Sequence, residues 1–339
     1  MQKQSRFFSF EFVRAIGVTA IFLCHYLQSY DPLLQIPHLG GGNLFISRYL
    51  GSTFNIVFIT ISAILFGLKY EKENYKGFEF KNFMYKRTTK IASSLYPFLI
   101  SMFIIYWLVD VKFNIKDVLM NFAFLSWFDK QPAIGHLWFI TMIMACYTMF
   151  VILSKKRYHV NSYIWIIIFI LCISANYFAE TQKLPAGYSL LYLATSCFLF
   201  LNASRFIDFT ERISFKVYIP IFLIINITTI FLFLNDSYSS VATISYLLGC
   251  ICGISWMIIL LKAGPFIKNR GVYIYLSSIS YEIYLVHHPL CHSINGYSVK
   301  SITQNPYLAF LIIASLTLII AILLNAISKK ISNLLIIRK

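Results

Sequence analysis

Long apolar runs alternate with short polar segments along almost the whole chain. A helix crossing about 30 Å of hydrocarbon needs roughly 20 mostly apolar residues. Ten stretches of this kind are predicted as spans: 12–28, 51–69, 91–109, 137–154, 161–178, 188–202, 216–234, 241–261, 272–291 and 307–327. A further run, 118–128, is apolar but too short to span, and is expected at the interface or dipping back into the bundle. The fold class this predicts is all-α: a polytopic membrane bundle of about ten transmembrane helices. It forms a single domain over 1–339, and no appended soluble domain is expected.

Composition agrees with the pattern. Of 339 residues, 58% are hydrophobic and only 12% charged, with 32 Phe and 23 Tyr. Soluble domains are about a quarter charged, so an ordinary cytosolic enzyme is excluded; a disordered chain, which needs low hydrophobicity, is excluded too. The net charge of +16 raises nucleic acid as a partner. Its distribution argues against that, because Lys and Arg fall in short clusters between apolar runs and not along one stripe. With the N-terminus inside, 22 of the 29 Lys and Arg lie on the inner side and 6 outside, with Arg14 within a span. Cationic loops stay cytoplasmic, so both termini are predicted there, in a multi-pass protein of the inner (plasma) membrane. Anionic lipid is the expected partner of this charge. The first span lacks a small-residue cleavage site and is expected to stay as an anchor. The seven Cys fall mostly inside spans with no CxxC, and Cys250-x-Cys252 is too close for a zinc knuckle; they are expected as small core residues.

Ionisable residues inside a span cost roughly 2.5–3.5 kcal/mol each on insertion scales, so they tend to face the bundle interior and mark function. The first span carries Glu11, Arg14 and His25. Eleven residues separate Arg14 from His25, which puts them about 20° apart around a helix and about 16 Å apart along it. Glu11, three residues before Arg14, can pair with it on that face. With the predicted topology, every other histidine except His159 maps to the outer half: His38, His136, His287, His288 and His292. Imidazole titrates near neutrality and is the commonest general acid or base. Several of these side chains could line an outward-facing cavity. A zinc site is conceivable, but no carboxylate or second histidine is read at ligand spacing on the same helix, so no metal is expected. Glu282 is a further intramembrane acid, able to orient a histidine or pair with a cation. At the inner side, Lys86, Arg87 and Lys90 lie one turn apart and form a cationic patch able to hold phosphate groups. Inner-leaflet lipid contact is the competing reading of that patch.

These residues carry a resemblance. The opening Glu11-Phe-Val-Arg14, with His25 eleven residues on, resembles the acidic-x-x-Arg and Arg-x10-His motifs of the integral-membrane acyltransferase family 3, which includes O-antigen, exopolysaccharide and peptidoglycan O-acetyltransferases. Phe58-Ile-Thr-Ile-Ser62-Ala63-Ile-Leu resembles its second-span element, and Arg87-Thr-Thr-Lys90 its Arg-x-x-Arg motif. His136-Leu-Trp138-Phe139 and Ser280-Tyr281-x-x-Tyr284-Leu-x-His287-x-Pro289-Leu resemble its later signatures. The chain departs from the family's pattern at Ala63, where Gly is usual, and at Lys90, where Arg is usual; Pro97 comes later than the family's Pro.

The resemblance implies an O-acyltransferase, in the common case an O-acetyltransferase, moving an acyl group from cytoplasmic acyl-CoA to a hydroxyl of a cell-surface glycan or lipid-linked sugar. It implies no tightly bound cofactor; acetyl-CoA or another acyl-CoA is the donor. By the same resemblance, Arg87 and Lys90, with Lys86 beside them, hold the CoA phosphates. Arg14, restrained by Glu11, holds the donor or stabilises charge on the thioester carbonyl. His25 is the general base or a transient acyl carrier. His136, Trp138, Tyr284, His287 and Ser62 belong to the acceptor site. Two other classes fit the composition: a proton-coupled transporter or exporter of a polar or glycan substrate, and a non-catalytic membrane partner. Paired broken helices and half-to-half symmetry, which a transporter would favour, are not seen in the sequence.

Overall fold

The computed structural model describes residues 3–30, 44–128, 131–155, 162–181, 190–234 and 242–337. His38 and His159 lie outside them. All regular structure among the described residues is helical. In chain order the elements are α1 Lys3–Tyr30, α2 Leu44–Lys72, α3 Phe80–Leu108, α4 Ile115–Phe122, α5 Trp138–Lys155, α6 Ser162–Thr181 and α7 Leu190–Leu201. They continue with α8 Ala203–Arg212, α9 Phe215–Leu234, α10 Ala242–Ala263, α11 Arg270–Ser278, α12 Ser280–Cys291, α13 Val299–Ile302 and α14 Pro306–Ile337.

Seven of these helices are long and apolar enough to cross a membrane, eight if the bent pair α7–α8 counts as one span. The chain is therefore a helical membrane protein. The three other expected spans take different forms. The run 161–178 is the shorter apolar helix α6. The run 188–202 is α7, which turns by 82° into α8. The run 272–291 is broken at Ile279 into α11 and α12. The short apolar run 118–128 folds in part as α4, whose start is fixed by a capping box: the Asn114 side chain accepts from the Asp117 N–H, and the Asp117 carboxylate accepts from the Asn114 N–H. Helices also outrun the apolar stretches. α1 begins at Lys3, and α3 at Phe80, because a helix continues into the interface once its polar side chains can reach water.

The chain divides into two compact units. The first comprises 1–21, 45–80 and 145–277; the second, 22–44, 81–144 and 278–339. In the first unit α10 closes against α2 through glycines. A Cβ on Gly249 would lie 2.7 Å from the Ser52 carbonyl oxygen; one on Gly253 would lie 1.8 Å from Ile56 Cγ2 and 2.8 Å from the Thr53 carbonyl oxygen. The Gly249-x-x-x-Gly253 pair thus serves packing within the chain. Beside this contact, Trp256 Nε1 donates to the Tyr49 hydroxyl at 2.6 Å, Tyr49 donates to Asn226, and Asn226 donates to Ser255 Oγ at 3.2 Å. Each buried polar group is thereby satisfied by another. Gly253→Leu should force α10 off α2, since backbone stands behind the first clash. Overpacking of this kind costs about 1–3 kcal/mol or more. Detergent-extracted protein should show a Tm lowered by several degrees, or little monodisperse protein; an unchanged Tm would contradict the packing described.

In the second unit α12 packs against α14. Phe22, Tyr26, Cys291, Val299, Ala309 and Ile313 form a common core, and the Tyr26 hydroxyl donates to the Pro306 carbonyl at 2.5 Å. Among the described residues no Cys is in a disulfide; six are buried and Cys172 partly so. Glu282, on α12, is buried and accepts from Ser94 Oγ at 2.7 Å; Ser94 and Ser93 each lie 2.8 Å from Ser328 Oγ. The expectation that Glu282 orients a histidine or pairs with a cation gives way to a hydroxyl network joining α3, α12 and α14. One helical turn on from Glu282, the same α12 carries histidines.

Candidate functional site

Three segments of the second unit place imidazoles together. The end of α1 carries His25. A single tight turn, Gly135–Leu137, carries His136 into the start of α5. The last two turns of α12 carry His287 and His288, and His292 caps that helix. Ring centroids of His25 lie 4.5 Å from His288, 5.2 Å from His287, 6.0 Å from His292 and 6.4 Å from His136. His136 stacks on His288 at 4.4 Å, and His288 lies 4.1 Å from His292. His136 and His287 are buried; His25, His288 and His292 are half-buried.

The local structure holds four of these rings by one nitrogen each. His25 Nδ1 lies 2.9 Å from Gln28 Oε1, three residues along the same helix. His287 Nδ1 lies 3.0 Å from the Ile283 carbonyl, and His288 Nδ1 lies 2.7 Å from the Ala133 carbonyl. His292 Nδ1 lies 3.1 Å from Ser29 Oγ. A carbonyl or amide oxygen can only accept, so the hydrogen of His25, His287 and His288 sits on Nδ1 and the lone pair on Nε2. Nε2 of His287 and His292, and both ring nitrogens of His136, are buried without a hydrogen-bond partner among the described residues. Leaving such atoms unpaired costs about 1–3 kcal/mol each, a concentration found where a fold is shaped around a polar reactant.

The structure sorts the expected site residues. His25, His136, Tyr284 and His287 come together: Tyr284 packs on His136 with centroids 5.0 Å apart and donates its hydroxyl to the His136 carbonyl. Tyr284 therefore positions the 135–137 turn, its hydroxyl already engaged. Trp138 does not join them. Its ring meets Trp127 edge-on at 5.1 Å, because the turn before α5 points consecutive side chains apart, and Phe139 packs on Tyr284 at 5.7 Å instead. In the same unit, on α3, Lys86 and Lys90 are exposed one turn apart, and the guanidinium of half-buried Arg87 lies 5.9 Å from the Phe83 ring centroid.

The remaining expected residues belong to the first unit. Arg14 Nη1 and Glu11 Oε1 are 3.4 Å apart, and the Ser277 hydroxyl donates to Glu11. The expected pairing of Glu11 with Arg14 is thus present. Ser62 Oγ donates to the Phe58 carbonyl of its own helix at 3.4 Å. The first unit also holds a cavity of about 340 Å³, lined among others by Ser9, Thr210, Glu211, Phe215 and Lys262. None of the expected site residues lines it.

Sequence reasoning missed the convergence of His288 and His292 on His25. Ring nitrogens of these three residues, one from each, lie within 4.8 Å of one another. The expectation of no second histidine at ligand spacing on one helix is corrected. His288 and His292 are four residues apart, and helical bonding reaches His292, whose N–H donates to the His288 carbonyl at 3.0 Å. Ending the predicted span at 291 had hidden the pair.

No curated protein and no solved structure was found similar to the chain. Against protein families, residues 7–326 match an acyltransferase domain. That match covers nearly the whole chain, including both units and every histidine of the cluster, and the chain belongs to the integral-membrane acyltransferase family 3.

Proposed function

We propose that this acyltransferase moves an acyl group, in the common case acetyl, from acyl-CoA to a hydroxyl of a cell-envelope glycan or lipid-linked sugar, with His25 as general base. The observation that carries the reading is the state of His25. Its Nδ1 is engaged by Gln28, its Nε2 carries the lone pair, and four further imidazoles surround it.

The chemistry follows from that state. Nε2 of His25 takes the proton of the acceptor hydroxyl as its oxygen attacks the thioester carbonyl carbon. The carbon–sulfur bond breaks, the CoA thiolate leaves, and the proton passes from the imidazolium to the sulfur. The products are the ester and free CoA. Arg14 lies on the same unbroken helix, eleven residues or about 16 Å before His25. The two side chains cannot both touch one carbonyl, so Arg14 is assigned to the donor's arm and not to the reacting carbon. Arg87 and Lys90, with Lys86, take the CoA phosphates. His136 and His287, through their unpaired ring nitrogens, offer partners to the acceptor's other hydroxyls. The predicted topology puts donor entry in the cytoplasm and the histidines toward the outer face of the plasma membrane.

Purified protein incubated with acetyl-labelled acetyl-CoA and an envelope glycan fraction tests the reading. Alkali-labile label on glycan, with free CoA released in equal amount, is the expected result. Glycan flux across reconstituted vesicles without CoA consumption would replace it with the carrier reading.

A further inference from the structure

We infer that His25, His288 and His292 form a binding site for a divalent transition metal of zinc-like chemistry, and that occupancy of this site switches acyl transfer off.

Three observations meet here. The three residues present ring nitrogens within 4.8 Å of one another. Zinc on imidazoles takes bonds of about 2.0–2.1 Å, which in a tetrahedral site spaces the nitrogens roughly 3.3 Å apart and the ring centroids about 5 Å apart. The observed centroid separations of 4.5, 6.0 and 4.1 Å bracket that value, and nitrogens at most 4.8 Å apart close by no more than about 1.5 Å per pair to reach it. Second, each ring is anchored through Nδ1: His25 on Gln28, His288 on the Ala133 carbonyl and His292 on Ser29. Metal-bound histidines characteristically give their other nitrogen to such a partner; the oxygens facing His25 and His288 only accept and so aim their Nε2 lone pairs, while the Ser29 hydroxyl can accept from His292 in the same way. Third, Nε2 of His292 is buried without a partner among the described residues, though the turn that follows α12 brings the chain to the surface.

The ligand chemistry selects the ion. Three neutral imidazoles and no carboxylate suit zinc, copper(II), nickel or cobalt; they do not suit magnesium or calcium, which require oxygen. Three protein ligands leave one position open. Coordination uses the Nε2 lone pair of His25, the same pair that accepts the hydroxyl proton. A loaded site therefore has no free base. This consequence rests on the proposed role of His25, whereas the binding itself does not.

Cobalt(II) and zinc(II) are the probes, with the full-length protein purified in detergent after chelator treatment. Expected are one cobalt per chain with visible tetrahedral d–d bands, displacement of cobalt by zinc, and zinc affinity lowered at least tenfold in His292→Ala and His292→Asn. Wild-type transfer should fall over the same zinc range that fills the site, and the two variants should need at least tenfold more zinc for the same fractional inhibition. Absence of stoichiometric binding by wild type, or equal affinity in folded variants, overturns the site and leaves the acyltransfer reading standing. Binding that disappears in the variants but leaves wild-type transfer unaffected overturns the switch, and with it His25 as base.

Discussion

Replacing His25 by Ala should abolish acyl transfer, with an expected fall of about 10²–10⁴-fold, the range a positioned general base supplies. The protein should still insert and extract as wild type does. Ala is the strongest helix former, and position 25 lies inside a 28-residue helix that does not depend on this side chain for its start. His25→Asn keeps a polar side chain but supplies no base, and should be as inactive as the Ala variant. Label transfer in membranes carrying matched amounts of each protein checks this. Retained transfer in either variant would remove His25 from the mechanism and pass the role of base to His287 or His288, which are also held through Nδ1.

Removing the cations at the start of α3 should act on binding and not on chemistry. Arg87→Ala with Lys90→Ala should raise the KM for acetyl-CoA by about 10–100-fold while kcat falls less than about threefold, as expected for the loss of two charge-assisted phosphate contacts far from the reacting carbon. A donor lacking the 3′-phosphate should lose less on the same substitution. Steady-state kinetics over a donor series separates the two effects. An unchanged KM would return the patch to lipid contact, the reading that its exposed position in the inner-interface register of α3 otherwise supports.

The membrane character of the chain was legible because its cause is local: about 20 apolar residues in a row have no other common use. The same rule failed where helix geometry and hydropathy part company. Ser277-Ser278-Ile279-Ser280 reads as a mild interruption, yet the backbone breaks there into α11 and α12; no Pro or Gly announces it. α4 starts ahead of the apolar run 118–128, at a capping box of Asn114 and Asp117 that hydropathy alone does not register. At the site, single residues were legible and their company was not. His25, His136 and His287 stand out as costly residues in apolar runs. That His292 reaches His25 through Ser29 and the last bond of α12 is a tertiary fact, 263 positions apart in sequence for the Ser29–His292 pair. Trp138, which the resemblance groups with His136, shows the same limit: a tight turn sends the two rings to different neighbours.

In the function we propose, the acyl group parts from CoA within this chain and leaves on an alcohol. Proteoliposomes given acetyl-CoA labelled differently in its acetyl and CoA halves, supplied on the side of Arg87 and Lys90 with envelope glycan on the other, test it directly. The predicted result is acetyl label in ester linkage on the glycan, with the CoA label retained as free thiol on the donor side and neither movement in His25→Ala vesicles. Both labels crossing together, or glycan crossing with the thioester intact, would contradict it.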